Sequence, residues 1–303
     1  MKRKIVIAGG TGFLGRAIVK RLEDMDAEII VLTRKDIVGS NNIRYVKWDA
    51  ETIGDWAETL EQSSAVLNFA GRSVNCRYTE KNKEEIIRSR VRSTEIIGKA
   101  IQAASIPPKL WINAGSTAIF GSGGDDVKNE TSSLGEGFSA EVCKQWEAAF
   151  NSIDTPSTRK LLCRIGLVFQ KNTGLLQPFV KLVKLGFGGK MGTGNQFISW
   201  IHEEDFLSIL NAAIERDDFA GMIHCASPFP VTNDHFMRAL RESLNISFGL
   251  PNPAFLLRAG AAFIGTEAEL ILTGRRVVSK VLEEKNISFR YPTIETARHD
   301  LVD

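Results

Sequence analysis

The sequence predicts an α/β fold, a doubly wound parallel sheet joined to a smaller C-terminal α/β region. Two patterns carry this expectation. Short runs rich in β-branched residues alternate with longer segments of helical period, the order expected of βαβ units. The first of these runs passes directly into a glycine-rich turn that opens a helix. A composition of 43% hydrophobic and 24% charged residues over 303 positions belongs to an ordinary globular chain, which sets aside disorder and coiled coil.

In chain order, the strand candidates are 4–8, 28–32, 44–46, 65–69, 110–114 and 161–168. Between the first two, Phe13, Leu14, Ala17, Ile18 and Leu22 share one helical face. From 83 to 103, Ile87, Val91, Thr94 and Ile101 do the same, so both helices should cover the sheet. After about residue 169 the texture changes to a helix-like 175–185, a glycine-dense 186–194 and mixed elements to the end. We therefore expect two units, 1–169 and 170–303, the second smaller and partly interleaved with the first. The stretch 254–264 is apolar but interrupted by Arg258, and it is shorter than the ~20 residues a membrane-spanning helix needs, so it reads as core.

Charge and cysteine usage narrow the function. Thirty-eight Lys and Arg against thirty-six Asp and Glu give a net charge of +2, too balanced for a nucleic-acid-binding footprint. The N-terminus runs straight into a strand with no secretory h-region, and Cys76, Cys143, Cys163 and Cys225 form no Cys-x-x-Cys pair or zinc pattern. A cytoplasmic protein with reduced, mostly buried thiols and no metal is expected.

The strongest signal is Ile5-Val6-Ile7-Ala8-Gly9-Gly10-Thr11-Gly12-Phe13-Leu14-Gly15. A strand, a tight glycine turn and a helix N-terminus together form a diphosphate cradle. The glycines let the backbone approach, free amides and the helix dipole hold the charge, and Gly15 lets helix and strand pack closely. This is the Rossmann pattern, and it makes 1–169 the dinucleotide-binding unit and 170–303 the substrate-side region. About twenty residues on, where a carboxylate would hold the ribose of NAD, the second strand ends in Thr33-Arg34-Lys35. A guanidinium there suits a 2′-phosphate and favours NADP, while Asp36 keeps NAD as the alternative. Asp49, after the third strand, is a candidate for the adenine amino group or a solvated turn residue. Asn68, Ala70 and Gly71 end the fourth strand at the ligand edge of the sheet.

These residues resemble the extended short-chain dehydrogenase/reductase superfamily. More narrowly, Arg77-Tyr78-Thr79, Ser89-Arg90-Val91, 140–147, Ser199-Trp200-Ile201-His202 and Phe289-Arg290-Tyr291-Pro292-Thr293 resemble its epimerase-like family, which carries a C-terminal domain of unknown function. The resemblance covers nearly the whole chain. It implies an NAD(P)-dependent oxidoreductase or epimerase acting on a carbonyl, carbinol or sugar-nucleotide substrate, with a Ser or Thr, a Tyr and a Lys in the site.

Ser116 and Thr117 match the hydroxyl position after the fifth strand, and Lys144 matches the lysine, but the tyrosine position is Ala140. Lys144 alone suits holding the nicotinamide ribose better than proton transfer. Tyr78, in the loop that begins at the ligand edge, is the candidate substitute, with simple packing as the alternative. Arg77 is a candidate for an anionic substrate group or an ordinary surface arginine. Cys143 and His202 read as structural rather than catalytic, and Glu141 as exposed. The glycines of 186–194 suit either a lid or an irregular connection, and 175–185 either a pocket roof or plain core. Against the enzyme stands a non-catalytic NADP-binding sensor or partner protein that lost proton transfer with Ala140. Oligomeric state and substrate are not legible.

Overall fold

The computed structural model describes residues 3–40, 42–171 and 173–302. Seven parallel strands form the main sheet: β1 (Arg3–Ala8), β2 (Ala27–Thr33), β3 (Ile43–Lys47), β4 (Ala65–Asn68), β5 (Leu110–Ser116), β6 (Arg159–Ile165) and β8 (Gly221–Cys225). Their spatial order is β8-β6-β5-β4-β1-β2-β3. The order reverses at β1, and such a switch point leaves a crevice at the carboxyl ends of the strands.

Period-two alternation decides which face each side chain enters. Ile5, Ile7, Ile29 and Val31 join one core layer, and Val6, Ala8, Ile30 and Leu32 join the layer on the other face. The first layer is closed by α1 (Phe13–Glu23) and α5 (Glu203–Glu215). The second is closed by α2 (Glu80–Ala103), and Phe150 of α3 (Phe138–Asn151) joins it. A third cluster, with Phe169, Trp200, Phe236 and Met237 at its centre, forms the core of the C-terminal part. Strand β8 of the main sheet and α5 both lie beyond residue 169 in sequence.

Three sequence expectations need correction. The run 161–168 is not one strand. It breaks at Gly166, whose amide donates to the Cys225 carbonyl while the Leu167 amide donates to Ser199, so β7 (Leu167–Gln170) leaves the main sheet to pair with Trp200–His202. On α2 the buried stripe runs through Ile86, Ser93, Thr94, Ile97 and Ile101, so Ile87 and Val91 sit only half-buried beside it. The stretch 254–264 is not core: it forms α7 (Ala254–Ile264), of which only Ala261 is buried, and Phe263 and Ile264 are 92% and 75% exposed. Its apolar residues go nearly all the way round the helix, more than one packed face can cover. Among the described residues no helix is long and apolar enough to cross a membrane, and no group of His, Cys, Asp and Glu is placed to hold a metal ion.

Candidate active site

Two cavities lie among the loops that follow the central strands, and the predicted residues divide between them. The larger, about 610 Å³, is lined by Gly9, Thr11 and Gly12 of the opening turn, Thr33 and Arg34 after β2, Asp49 after β3, and Ala70 and Gly71 after β4. Gly9 has φ +82°, and a Cβ there would meet the Phe69 carbonyl at 2.6 Å. A Cβ on Gly15 would lie 2.1 Å from the Gly9 carbonyl, so the turn packs as closely as two glycines allow. Gly12 caps α1 without a side-chain acceptor, and the first bond of the helical ladder runs from the Arg16 amide to the Gly12 carbonyl. The amides of Phe13, Leu14 and Gly15 therefore precede the ladder and face the mouth of the helix, the arrangement that binds an anion. As side chains these residues do little in the cleft: Leu14 packs against the core and the Phe13 ring lies against Gly174.

The end of β2 selects charge. Thr33 Oγ1 accepts from the Lys35 amide at 3.1 Å and turns the chain, leaving Arg34 exposed on the cleft rim. Asp36, the carboxylate that would favour NAD, is drawn instead to Lys47 at 3.1 Å. Asp49 accepts from the amides of Glu51 and Thr52 at 2.8 and 2.9 Å and from the Thr52 hydroxyl. These bonds hold its carboxyl down at about 2, and its oxygens close a local turn. Asn68 is fully buried. It donates to Asn113 and Thr94 and accepts from the Ala70 amide, so it shapes the cleft from beneath rather than lining it.

The smaller cavity, about 240 Å³, brings together residues the sequence keeps far apart. Ser116 and Thr117 lie at the end of β5, Tyr78 comes from the loop after β4, and Ser139 and Cys143 come from α3. Phe179 of α4 (Gln177–Lys184) covers one side, which places that helix against the pocket as well as the third core cluster. Thr117 Oγ1 is committed to the Ile165 carbonyl at 3.4 Å, whereas Ser116 Oγ only accepts from the Ala118 amide and keeps its proton to donate. The Tyr78 ring packs edge-on against Phe138, and its buried hydroxyl has no hydrogen-bond partner among the described residues. Burial and then Glu269 raise its pKa. Ser139 faces it and offsets part of that rise, without the two hydroxyls reaching hydrogen-bond geometry.

Ala140, at the usual tyrosine position, is fully buried. Lys144 is half-buried, makes no hydrogen bond or ion pair with the described residues, and lines neither cavity. Burial, then Glu147, pushes the Cys143 thiol up to about 12, which keeps it protonated and inert. His202 caps α5 through Nδ1, bonds Asp300 at 3.2 Å and stacks on Tyr291, a structural assignment throughout. Arg77 points away from the cavity, to the Thr266 carbonyl and Glu267, and Glu141 bonds Gln145 on the surface. The segment 186–194 is pinned by backbone bonds to Leu250, Asn252 and Asp234, so it is an anchored connection rather than a lid.

Sequence reading missed Arg90 and Arg275 as pocket residues. Arg90 had a signal: it stands four residues after Ile86 and four before Thr94, a cation on the buried stripe of α2. Arg275 lies in a loop near the C-terminus, with no pattern to mark it.

Comparison with known proteins agrees with this fold. The model of the NAD dependent epimerase/dehydratase family matches residues 5–142, and a domain of unknown function, DUF1731, matches residues 252–301. An epimerase family protein of Mycobacterium bovis is 30% identical over 294 residues, covering 97% of this chain and 95% of that protein. The human epimerase family protein SDR39U1, crystallised with NADPH, superposes with a TM-score of 0.88 at 27% identity, covering 98% of both chains. A UDP-N-acetylglucosamine 4-epimerase of Bacillus cereus superposes at 0.77 with 16% identity over 99% of this chain and 98% of that one, a likeness of fold alone.

Proposed function

From the membership of this chain in the epimerase family, with its NAD dependent epimerase/dehydratase region and following DUF1731 domain, we propose that it is an NADP-dependent oxidoreductase or epimerase acting on a small carbonyl or carbinol compound. The observation that carries the reading is the Tyr78 hydroxyl, without a hydrogen-bond partner among the described residues, in the same cavity as Ser116 and next to the glycine-turn cleft.

The cleft fits the coenzyme by its own residues. The tight turn that only a glycine at position 9 permits against the Phe69 carbonyl, the amides of residues 13–15 and the exposed Arg34 match a diphosphate and a 2′-phosphate. Human SDR39U1, crystallised with NADPH, supports the same choice, with NAD the weaker alternative. Lys144, without a hydrogen bond or ion pair among the described residues, is assigned to the nicotinamide ribose by the family resemblance and not by the cavity lining, to which it does not contribute. When bound, the coenzyme supplies or accepts the hydride.

The chain supplies the rest. Ser116 donates to the substrate oxygen and fixes its position. Tyr78 gives that oxygen the proton that balances the hydride, in place of the tyrosine lost at Ala140, and regains it from solvent. Thr117 holds the β5 end in place through Ile165. Such positioned acid catalysis is typically worth 10²- to 10⁴-fold. The three buried, unpaired thiols among four cysteines fit a reducing compartment, and we place the protein in the cytoplasm.

Calorimetric titration tests the nucleotide reading. NADPH should bind more tightly than NADH, and Arg34→Ala should erase the preference. A natively folded chain that binds neither would end the proposal. The buried Ala140 favours a second reading, a nucleotide sensor, which tight NADPH binding without turnover of any carbonyl would support and turnover abolished by Ser116→Ala would remove.

A further inference from the structure

We infer that the smaller cavity takes a small organic carboxylate, held by the guanidinium groups of Arg90 and Arg275. Of its lining residues these two are the cations and Glu269 is the one carboxylate, so the lining carries a net +1. Neither arginine has a carboxylate within 4 Å among the described residues. Arg90 spends Nη1 on the carbonyls of Arg72 and Ile86, both at 3.0 Å, and its plane lies over the Trp146 ring at 5.3 Å. Arg275 makes one long contact, 3.5 Å, to the Thr273 hydroxyl. Burial lowers the pKa of both guanidinium groups; Glu269, beyond ion-pair distance, offsets part of this at Arg275, and no carboxylate does so at Arg90.

Arg164 shows how this fold treats a buried arginine that has no ligand to meet. It is 5% exposed and is clasped by Glu147 through two bonds of 2.8 and 2.7 Å. Arg90 and Arg275, each half-buried, have no carboxylate in such contact, and a cation drawn from water without one is costly, so the anion that meets them belongs to the substrate. A guanidinium fork matches a carboxylate through paired N–H donors. A cavity of about 240 Å³ falls below the roughly 300–1,000 Å³ of drug-sized sites, so the substrate is a small oxo or hydroxy acid rather than a nucleotide sugar.

The identification of this cavity as a substrate site rests on the proposed function, but carboxylate binding is measured apart from turnover and from coenzyme binding. The full chain, with and without NADPH, is titrated with oxalate, malonate and succinate, with the corresponding diamides, and with UDP-glucose. At least one dicarboxylate should bind and its diamide should not. Arg90→Gln and Arg275→Gln should each weaken that binding roughly ten- to a hundredfold, the worth of a charge-assisted hydrogen bond, with NADPH affinity unchanged. The wild-type comparison of acid with amide needs no variant, so a misfolded variant leaves the test intact. No carboxylate binding at millimolar concentration, equal binding of the amides, or binding untouched by both variants would overturn the inference. A chain that binds the acids but not NADPH would instead overturn the proposed function alone.

Discussion

Tyr78→Phe removes one oxygen from the smaller cavity and keeps the ring that packs against Phe138. Because that oxygen is buried without a hydrogen-bond partner among the described residues, its removal should stabilise the fold by about 1 kcal/mol, the lower end of what an unsatisfied buried group costs. For a chain of this length that is a rise in Tm of roughly 2 °C. Turnover should move the other way and fall 10²- to 10⁴-fold, equivalent to roughly 3–5 kcal/mol of transition-state stabilisation. The pH dependence follows from the direction of the shift. A phenol held above its ordinary value stays protonated through neutrality, so reduction, which needs the proton, should be flat from about pH 6 to 9. Oxidation, which needs the phenolate, should keep rising with pH over the same range. The assay is NADPH consumption with a small oxo acid, alongside thermal denaturation of both proteins. A variant that keeps turnover within threefold of the parent, or that loses more than about 1 kcal/mol of stability, would refute the role of Tyr78 as proton donor, the second because it would show the hydroxyl to be a structural group.

Other outcomes follow from the same geometry. Gly9→Ala forces a side chain into positive φ and against the Phe69 carbonyl, and should cost about 2–5 kcal/mol in chemical denaturation and abolish NADPH binding by calorimetry. Glu147→Ala strands the Arg164 guanidinium in the core and should destabilise the chain by about 3–5 kcal/mol, whereas an exposed pair such as Lys47 with Asp36 should be worth under about 1 kcal/mol. His202 and His224 both have pKa values lowered from 6.5 by burial, so the unfolded chain binds protons there more readily than the folded one. Stability from these groups is full above about pH 6.5 and is lost as the pH falls below it, measurable as a falling urea midpoint; a midpoint unchanged from pH 7 to 5.5 would contradict the burial of both rings.

The nucleotide cradle was legible because its chemistry is local. Gly9, Gly12 and Gly15 lie within seven residues, and the positive φ at Gly9 and the close approach at Gly15 are demands that the turn itself makes. The sheet was legible for a similar reason, since Ile5 and Ile7 alternate with Val6 and Ala8 between two core layers in a pattern visible one residue at a time. The strand break at Gly166 was not, because the acceptors that divert the chain there, Cys225 and Ser199, come from later elements. Nor was the exposure of α7, since an apolar run carries no record of whether anything covers it. The smaller cavity depended on tertiary structure most of all. Tyr78, Arg90, Ser116, Cys143 and Arg275 come from two loops, two helices and a strand end, and only the crossovers of the parallel sheet bring their side chains to one place. Local propensity determines which elements form, but whether a buried cation has a carboxylate beside it is set by which distant segments the finished fold brings together.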